Sequence, residues 1–375
     1  MTMAEATPGR GLEFATYVEI QSPPGADHAR LIHDIVALGV HADQIGFDTF
    51  TILEHPFHER FALNAAPLAL FCTLAEKTRR LRFRCLCHTL PLHNPMVLAG
   101  EIAQADILTR GRIEVGVGRG HAWLCEDANI VMEESVPRFQ EGLEILLRGW
   151  TNERFSFEGE YYTCKDLSIV PRPYQKPHPP IFIVGTSSKW FRLAAERGWG
   201  TNIGGPAPDF VFQEAADTYL SACAEFGTRP HLGYGKAVFL AEDEATAMRE
   251  AREWALNFIA FNVSPFERLK RETEAEKERL RNAGYAFYAE DDFPNLAKLS
   301  FEELVENDIV YVGTPRTVTE KFLDLYDRFR FQELVLIPHY GGMPRWQAIR
   351  NQELFAREIM PVLREEIDPV AEAAQ

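Results

Sequence analysis

The side chains able to do chemistry fall in three short stretches. In FTILEHPFHE, residues 50–59, an apolar run ends on Glu54 and His55, with His58 and Glu59 just beyond. A histidine directly after a strand projects from the strand's end, where an imidazole near its neutral pKa can act as a general base. The competing reading is a hydrogen-bonded loop histidine. In GRIEVGVGRGHAW, residues 111–123, Gly116, Gly118 and Gly120 recur every second position with Arg119 between the last two and His121 behind. Backbone N–H groups freed by glycine, beside a planar guanidinium, suit a phosphate; a tight turn with Arg119 paired to a surface acid fits the same residues. In IFIVGTSSKWFRLAAERG, residues 181–198, a strand passes through Gly185 into Thr186, Ser187 and Ser188 at the start of a helix. Unpaired helix N–H groups and hydroxyls converge there, as an anion site or as ordinary N-caps.

Several alternatives fail on spacing. A dinucleotide fingerprint needs G-x-G-x-x-G, but position 121 is His, and no G-x-x-x-x-G-K-[ST] occurs. His88 and His93 of CLCHTLPLHNP join His55 as possible metal ligands, yet there is no H-x-H and no H-E-x-x-H. Metal is the weaker reading, and no metal site is assigned.

The elements that must position these groups alternate short β-rich runs with longer segments of helical period. Strands are expected at 11–20, 47–53, 80–90, 112–118, 180–185, 199–205, 234–241 and 332–341. Eight strand-helix repeats in one chain predict a closed (β/α)8 TIM barrel spanning residues 1–375 as a single domain. Strand ends four and five are neighbours on its C-terminal face, so two donor clusters would meet on one phosphate. Extra length follows strand four, at 121–175, and precedes strand eight, at 265–310. The second insertion carries FERLKRETEAEKERLRNAG, with opposite charges at Glu267/Arg271, Glu274/Lys277 and Glu278/Arg281. Those spacings predict a helix, either solvated or closing the mouth as a lid.

Of the 375 residues 46% are hydrophobic, enough for a large core, and 39 Lys and Arg against 55 Asp and Glu give a net charge of -16. That charge argues against nucleic acid or an anionic membrane as partner and for a small organic molecule. No signal-peptide core or membrane-length apolar run is evident, and the six cysteines lack CxxC spacing, so a cytoplasmic, reduced protein is expected. Pocket walls are sought among Phe14, Tyr17, Phe50, Trp123, Tyr285, Phe287 and Tyr288, with His121 next to the glycine loop.

Taken together, FDTFTILEHPFHE, LPLHNPMVLAGEIAQADILTRGRIEVGVGRG, PRPYQKPHPPIFIVGTSS, VGTPRTVTEKF and LVLIPHYGGMP, in that order along nearly the whole chain, resemble the bacterial luciferase-like flavin-dependent monooxygenases. The resemblance implies a (β/α)8 barrel binding reduced FMN, with Arg119 and Ser187 on its phosphate, Gly118, Gly120, Gly185 and Thr186 in the same loops, and His55 as active-site base. It places a non-prolyl cis peptide at Leu86-Cys87 beneath the flavin ring. Thr186 stands where the luciferase α subunit has glutamate, Pro56 where it has a second histidine and Gly118 where it has a reactive cysteine, which implies oxygenation without light emission.

The implied chemistry is reaction of the reduced flavin with O2 to a C4a-(hydro)peroxide that oxygenates an aldehyde, a ketone or a similar substrate. With no nicotinamide fingerprint, a separate flavin reductase is the implied partner of a two-component system. A homodimer is implied through helices beside strands two and three, ALNAAPLALFCTLAEKT being the suggested contact. The same fold admits an F420-dependent dehydrogenase, a non-catalytic flavin-binding partner subunit or, more remotely, a metal-dependent hydrolase.

Overall fold

A computed structural model describes residues 11–185 and 187–367. Eight parallel strands close a barrel: β1 Glu13–Val18, β2 Thr49–Ile52, β3 Arg82–Cys85, β4 Ile113–Gly118, β5 Ile181–Val184, β6 Gly200–Gly204, β7 Leu232–Leu240 and β8 Glu333–His339. Each pairs with the next, and β8 pairs with β1 to complete the ring. The eight expected strands are therefore the eight staves. A further strand, Val310–Gly313, lies beside the end of β7, and an antiparallel hairpin, Phe155–Glu158 with Thr163–Leu167, fills part of the insertion after β4. Neither was expected, because four or five residues carry too little period to separate from loop.

The outer helices are α1 His28–Ile45, α2 Pro67–Ala75, α3 Pro95–Leu108, α4 Ser135–Thr151, α5 Ser188–Arg197, α6 Gln213–Phe226, α7 Glu244–Val263, α8 Pro315–Phe329 and α9 Arg345–Leu354. Local chemistry sets their ends. Asp27 caps α1 by accepting from the N–H groups of Ala29 and Arg30, and Gly46 in the left-handed region stops it. Asn94 caps α3 in the same way, with Pro95 in its first turn. Apolar faces of strands and helices then merge into one continuous core.

Toward the N-terminal end of the barrel the interior is ionic. Fully buried Arg84 on β3 donates to Glu333 on β8 and to Glu114 on β4, and reaches Oδ1 of Asn202 on β6 at 3.0 Å. These bonds tie four staves together, and removing one partner of such a group costs about 3–5 kcal/mol.

The second insertion differs from the single helix its charges predicted. A 3-10 turn, Ser264–Arg268, is separated by extended chain from a helix at Glu274–Asn282, which opens with a Thr273/Glu276 capping box. Arg271 pairs with Asp291 rather than with Glu267, while Arg281 pairs with Glu278 and Glu274. The segment packs onto the mouth through its own apolar cluster: Phe266, Leu280, Tyr285 and Ala289 against Phe61, Trp123, Leu124 and Met132.

Candidate active site

The alternating glycines answer to strand packing. A Cβ on Gly116 would lie 1.9 Å from the carbonyl oxygen of Cys85, one on Gly118 2.3 Å from Sγ of Cys87, and one on Gly120 2.3 Å from Cγ2 of Thr89. Positions 116, 118 and 120 thus lie against 85, 87 and 89, so β4 and the chain continuing from β3 approach at a distance only glycine allows. Leu86-Cys87 is a cis peptide, as the resemblance implied, and just beyond it His88–Thr89 pairs with Val117–Gly118.

Above these glycines lies a cavity of about 550 Å³ at the C-terminal ends of the strands. Leu86, Cys87, Gly118, Arg119, Gly120, His121, Gly185, Ser187 and Tyr17 all line it. Thr186 lies outside the described residues. Trp123, Tyr285, Phe287 and Tyr288 are also on the wall. Phe50 and Phe14 are not. Phe50 is fully buried against Gly39 of α1, and Phe14 packs edge-on to Phe355, because both point outward from their strands to the helical layer.

Arg119 bridges the glycine loop to the lid. Nη1 donates to the carbonyl of Ala283 at 2.7 Å, Nη2 donates to that of Gly284, and the guanidinium carbon sits 3.7 Å from the ring centroid of Tyr285. Gly284 has φ 75°, and a Cβ there would come within 2.9 Å of Nη1. On the facing side Ser187 is the N-cap residue of α5 with its hydroxyl outside any capping bond, and around Gly185 no heavy atom lies within 4 Å of where a Cβ would stand. A guanidinium with N–H groups to spare, an open glycine, a hydroxyl and a helix N-terminus fit a phosphate. The apolar space beside them, between the cis peptide and the lid aromatics, fits a flavin ring.

His55 is one layer further back than expected. It is buried, and Phe61, His121 and Trp123 line the cavity where it does not. Trp123 donates its indole N–H to Nε2 of His55 at 2.9 Å, so the proton of the neutral ring belongs on Nδ1, which has no partner. Burial first, then His121 and His58, push its pKa well below the usual histidine value. On its other side His55 borders an open groove with Pro56, His58 and Asn64. The reason for the difference is Trp123, whose indole occupies the space that a histidine after β2 would otherwise face.

His121 is the imidazole on the wall. It stacks on Trp123 with ring centroids 4.4 Å apart, and its Nδ1 is 2.7 Å from the hydroxyl of Tyr288. Burial, then His58, lower its pKa to about 4, so it is neutral at pH 7.

Two carboxyl groups also line the cavity. Burial works to raise Glu54, but the imidazoles of His88 and His93 outweigh it and hold the carboxyl at about 2. Glu54 accepts from Nε2 of His93 at 2.9 Å and from the N–H of Thr89 at 2.9 Å. The ligand atoms of Glu54, His88 and His93 lie within 4.8 Å of one another, an arrangement that would also accommodate a cation.

Glu19, one residue past β1, has the opposite character. Burial pushes it up to about 8 against the weaker lowering by Asn262 and Tyr17. Neither Glu19 nor Asn262 was singled out in the sequence. An acid at the C-terminal end of an apolar barrel strand was the available signal for Glu19; Asn262 sits mid-pattern in α7 and carried none.

The family model described as luciferase-like monooxygenase matches residues 12–332. The chain is 27% identical over 285 residues to the FMNH(2)-dependent dimethylsulfone monooxygenase of Pseudomonas putida, covering 72% of this chain and 71% of that protein. It is 31% identical over 235 residues to an F420-dependent glucose-6-phosphate dehydrogenase of Rhodococcus hoagii, covering 59% and 69%. Among solved structures, the oxygenating constituent of 3,6-diketocamphane monooxygenase from Pseudomonas putida, a type II Baeyer-Villiger enzyme in complex with FMN, superposes with a TM-score of 0.72 at 22% identity, covering 94% of this chain and 99% of that one. The chain therefore belongs to the luciferase-like monooxygenase family, on a (β/α)8 barrel.

Proposed function

We propose that the protein is the oxygenase of a two-component system: it takes reduced FMN from a separate reductase and uses O2 to oxygenate a small organic molecule. The observation that carries this reading is that Arg119, Gly185 and Ser187, which follow the adjacent strands β4 and β5, line one largely apolar cavity beneath the 265–310 segment. Bound reduced flavin supplies the electrons that activate O2. Arg119 and Ser187 hold the phosphate, the lid aromatics exclude water, and His121, neutral and facing the cavity, is placed to accept or return a proton. His55 acts behind it, orienting Trp123 and through it the stacked His121.

Anaerobic titration with reduced FMN, then rapid mixing with O2, tests the reading. Tight binding and a near-ultraviolet transient longer-lived than that of free flavin support it; neither would overturn it. Turnover with NADH and FMN without a reductase would overturn the two-component part. The relatives that use F420 favour a second reading, a deazaflavin-dependent dehydrogenase, which selective binding of reduced F420 over reduced FMN would establish.

A reducing cytoplasm suits six cysteines that are all unpaired, and no described helix is long and apolar enough to cross a membrane. A homodimer would use α3 more than α2. The apolar residues Leu70, Phe71 and Leu74 of α2 face the core, whereas Val97, Ile107 and Leu108 of α3 are exposed. Sedimentation of the wild type and of a Val97→Glu, Leu108→Glu variant tests that face.

A further inference from the structure

We propose that Glu19 binds, as an un-ionised carboxylic acid, the oxygen of a neutral carbonyl-type substrate, and so sets the substrate class of the cavity. The proposal rests on the flavin-oxygenase reading and deepens it.

In a ring of eight strands β1 stands four places from β5 in either direction, so Glu19 lies across the mouth from Ser187 and the anion-binding end. Its side chain is only 4% exposed, lines the cavity and is paired with no cation among the described residues. Tyr17 reaches Oε1 through its hydroxyl at 3.4 Å, and Asn262 donates from Nδ2 to Oε2 at 3.1 Å. The same Nδ2 also donates to the carbonyl of Phe258, so both of its hydrogens are used.

The titratable groups on neighbouring elements do not offset a charge on Glu19. Cys85 of β3 stands near Tyr17, and His339 of β8, held neutral by burial, meets the backbone of Glu19. A buried carboxylate without a cation costs several kcal/mol, which is relieved by keeping its proton.

Counting hydrogens gives the consequence. With the bonds above made, a neutral Glu19 and Tyr17 together hold two hydroxyl hydrogens and share one hydrogen bond. If Tyr17 donates to Glu19, the acid proton is left over; if the acid donates to Tyr17, the phenol hydrogen is. Neither residue supplies an acceptor for it, and a ligand in the cavity can. A neutral molecule with an exposed carbonyl oxygen satisfies this donor. An anionic carboxylate instead competes with a group that is itself easily made negative.

The test uses protein loaded with oxidised FMN, with cyclohexanone and cyclohexanecarboxylate as probes followed by flavin absorbance and saturation-transfer NMR. Wild type is expected to bind the ketone about tenfold more weakly at about pH 9.5 than at about pH 6.5, as Glu19 ionises. Glu19→Gln keeps a donor at every pH and should flatten that profile; Glu19→Leu should bind weakly throughout. The proposal is overturned if Glu19→Gln keeps the wild-type pH profile, if Glu19→Leu binds the ketone normally, if the carboxylate is preferred, or if the loaded wild type binds no ketone. A loss of FMN affinity alone in Glu19→Leu would assign the donor to a flavin carbonyl and also overturn it. Failure of wild type to bind FMN at all would instead bring down the flavin reading on which it rests.

Discussion

The guanidinium carbon of Arg119 lies over the ring of Tyr285, 3.7 Å from its centroid, while its terminal nitrogens donate to the carbonyls of Ala283 and Gly284. The residue proposed to hold the phosphate thus also ties the glycine loop to the 265–310 segment. Arg119→Ala should weaken FMN binding by roughly 2–3 kcal/mol, the worth of charge-assisted hydrogen bonds, and speed proteolysis within 270–290. Loss of FMN affinity with unchanged proteolysis would mean that the two roles are separate.

Trp123 and His55 make a second checkable pair. Trp123→Phe keeps the stacking surface but removes the only N–H that the described residues donate to Nε2 of His55, leaving a buried acceptor unsatisfied at a cost of about 1–3 kcal/mol. Nitrogen NMR should show the Nδ1–H tautomer in the wild type and a mixture in the variant. The same tautomer in both would show that the indole does not set it.

Acid stability should show two separate windows. For His121 the folded value of about 4 lies below the unfolded value near 6.5, so below pH 6.5 the unfolded chain binds the extra proton first. Its contribution is full above pH 6.5 and drains away as the pH falls toward 4, by roughly 3 kcal/mol. Glu54, held at about 2, contributes above its unfolded value near 4.5 and loses that contribution only as the pH falls further toward 2. His55 and His339, also pushed down by burial, share the upper window, so denaturant midpoints measured against pH should show a shallower upper slope in His121→Phe and an unchanged lower one.

Gly118→Ala should destabilise the protein by about 1–3 kcal/mol, because its methyl group would meet Sγ of Cys87 at 2.3 Å. Adding Cys87→Ala removes that sulfur and should recover most of the loss in thermal melts. No recovery would place the strain at the carbonyl oxygen of Val184, the next contact at 3.3 Å that is not part of Cys87.

What was legible in the sequence follows the length over which a pattern acts. The staves were readable because each is an apolar run between turn residues, and eight of them leave little choice of architecture. That Arg119 and Ser187 line the cavity was readable because glycine and hydroxyl residues at barrel strand ends face the mouth. His55 was placed wrongly in depth: adjacency to a strand fixes direction, but the indole 68 residues away that covers it belongs to another loop. Glu19 went unseen for the complementary reason. An acid in isolation reads as solvated, and only the closed barrel and the amide of Asn262, 243 residues away, show that it is not. The break in the lid helix was hidden because charge spacing alone cannot tell a continuous helix from two short ones.

The cluster under the lid is separate from the core that runs through the barrel. Apolar units that form separate clusters need not unfold together. Opening of 274–289 is then expected to need less free energy than opening of the staves. In amide hydrogen exchange this segment should report a low opening energy well before β1–β8 do, and bound flavin should raise the former while leaving the latter almost unmoved.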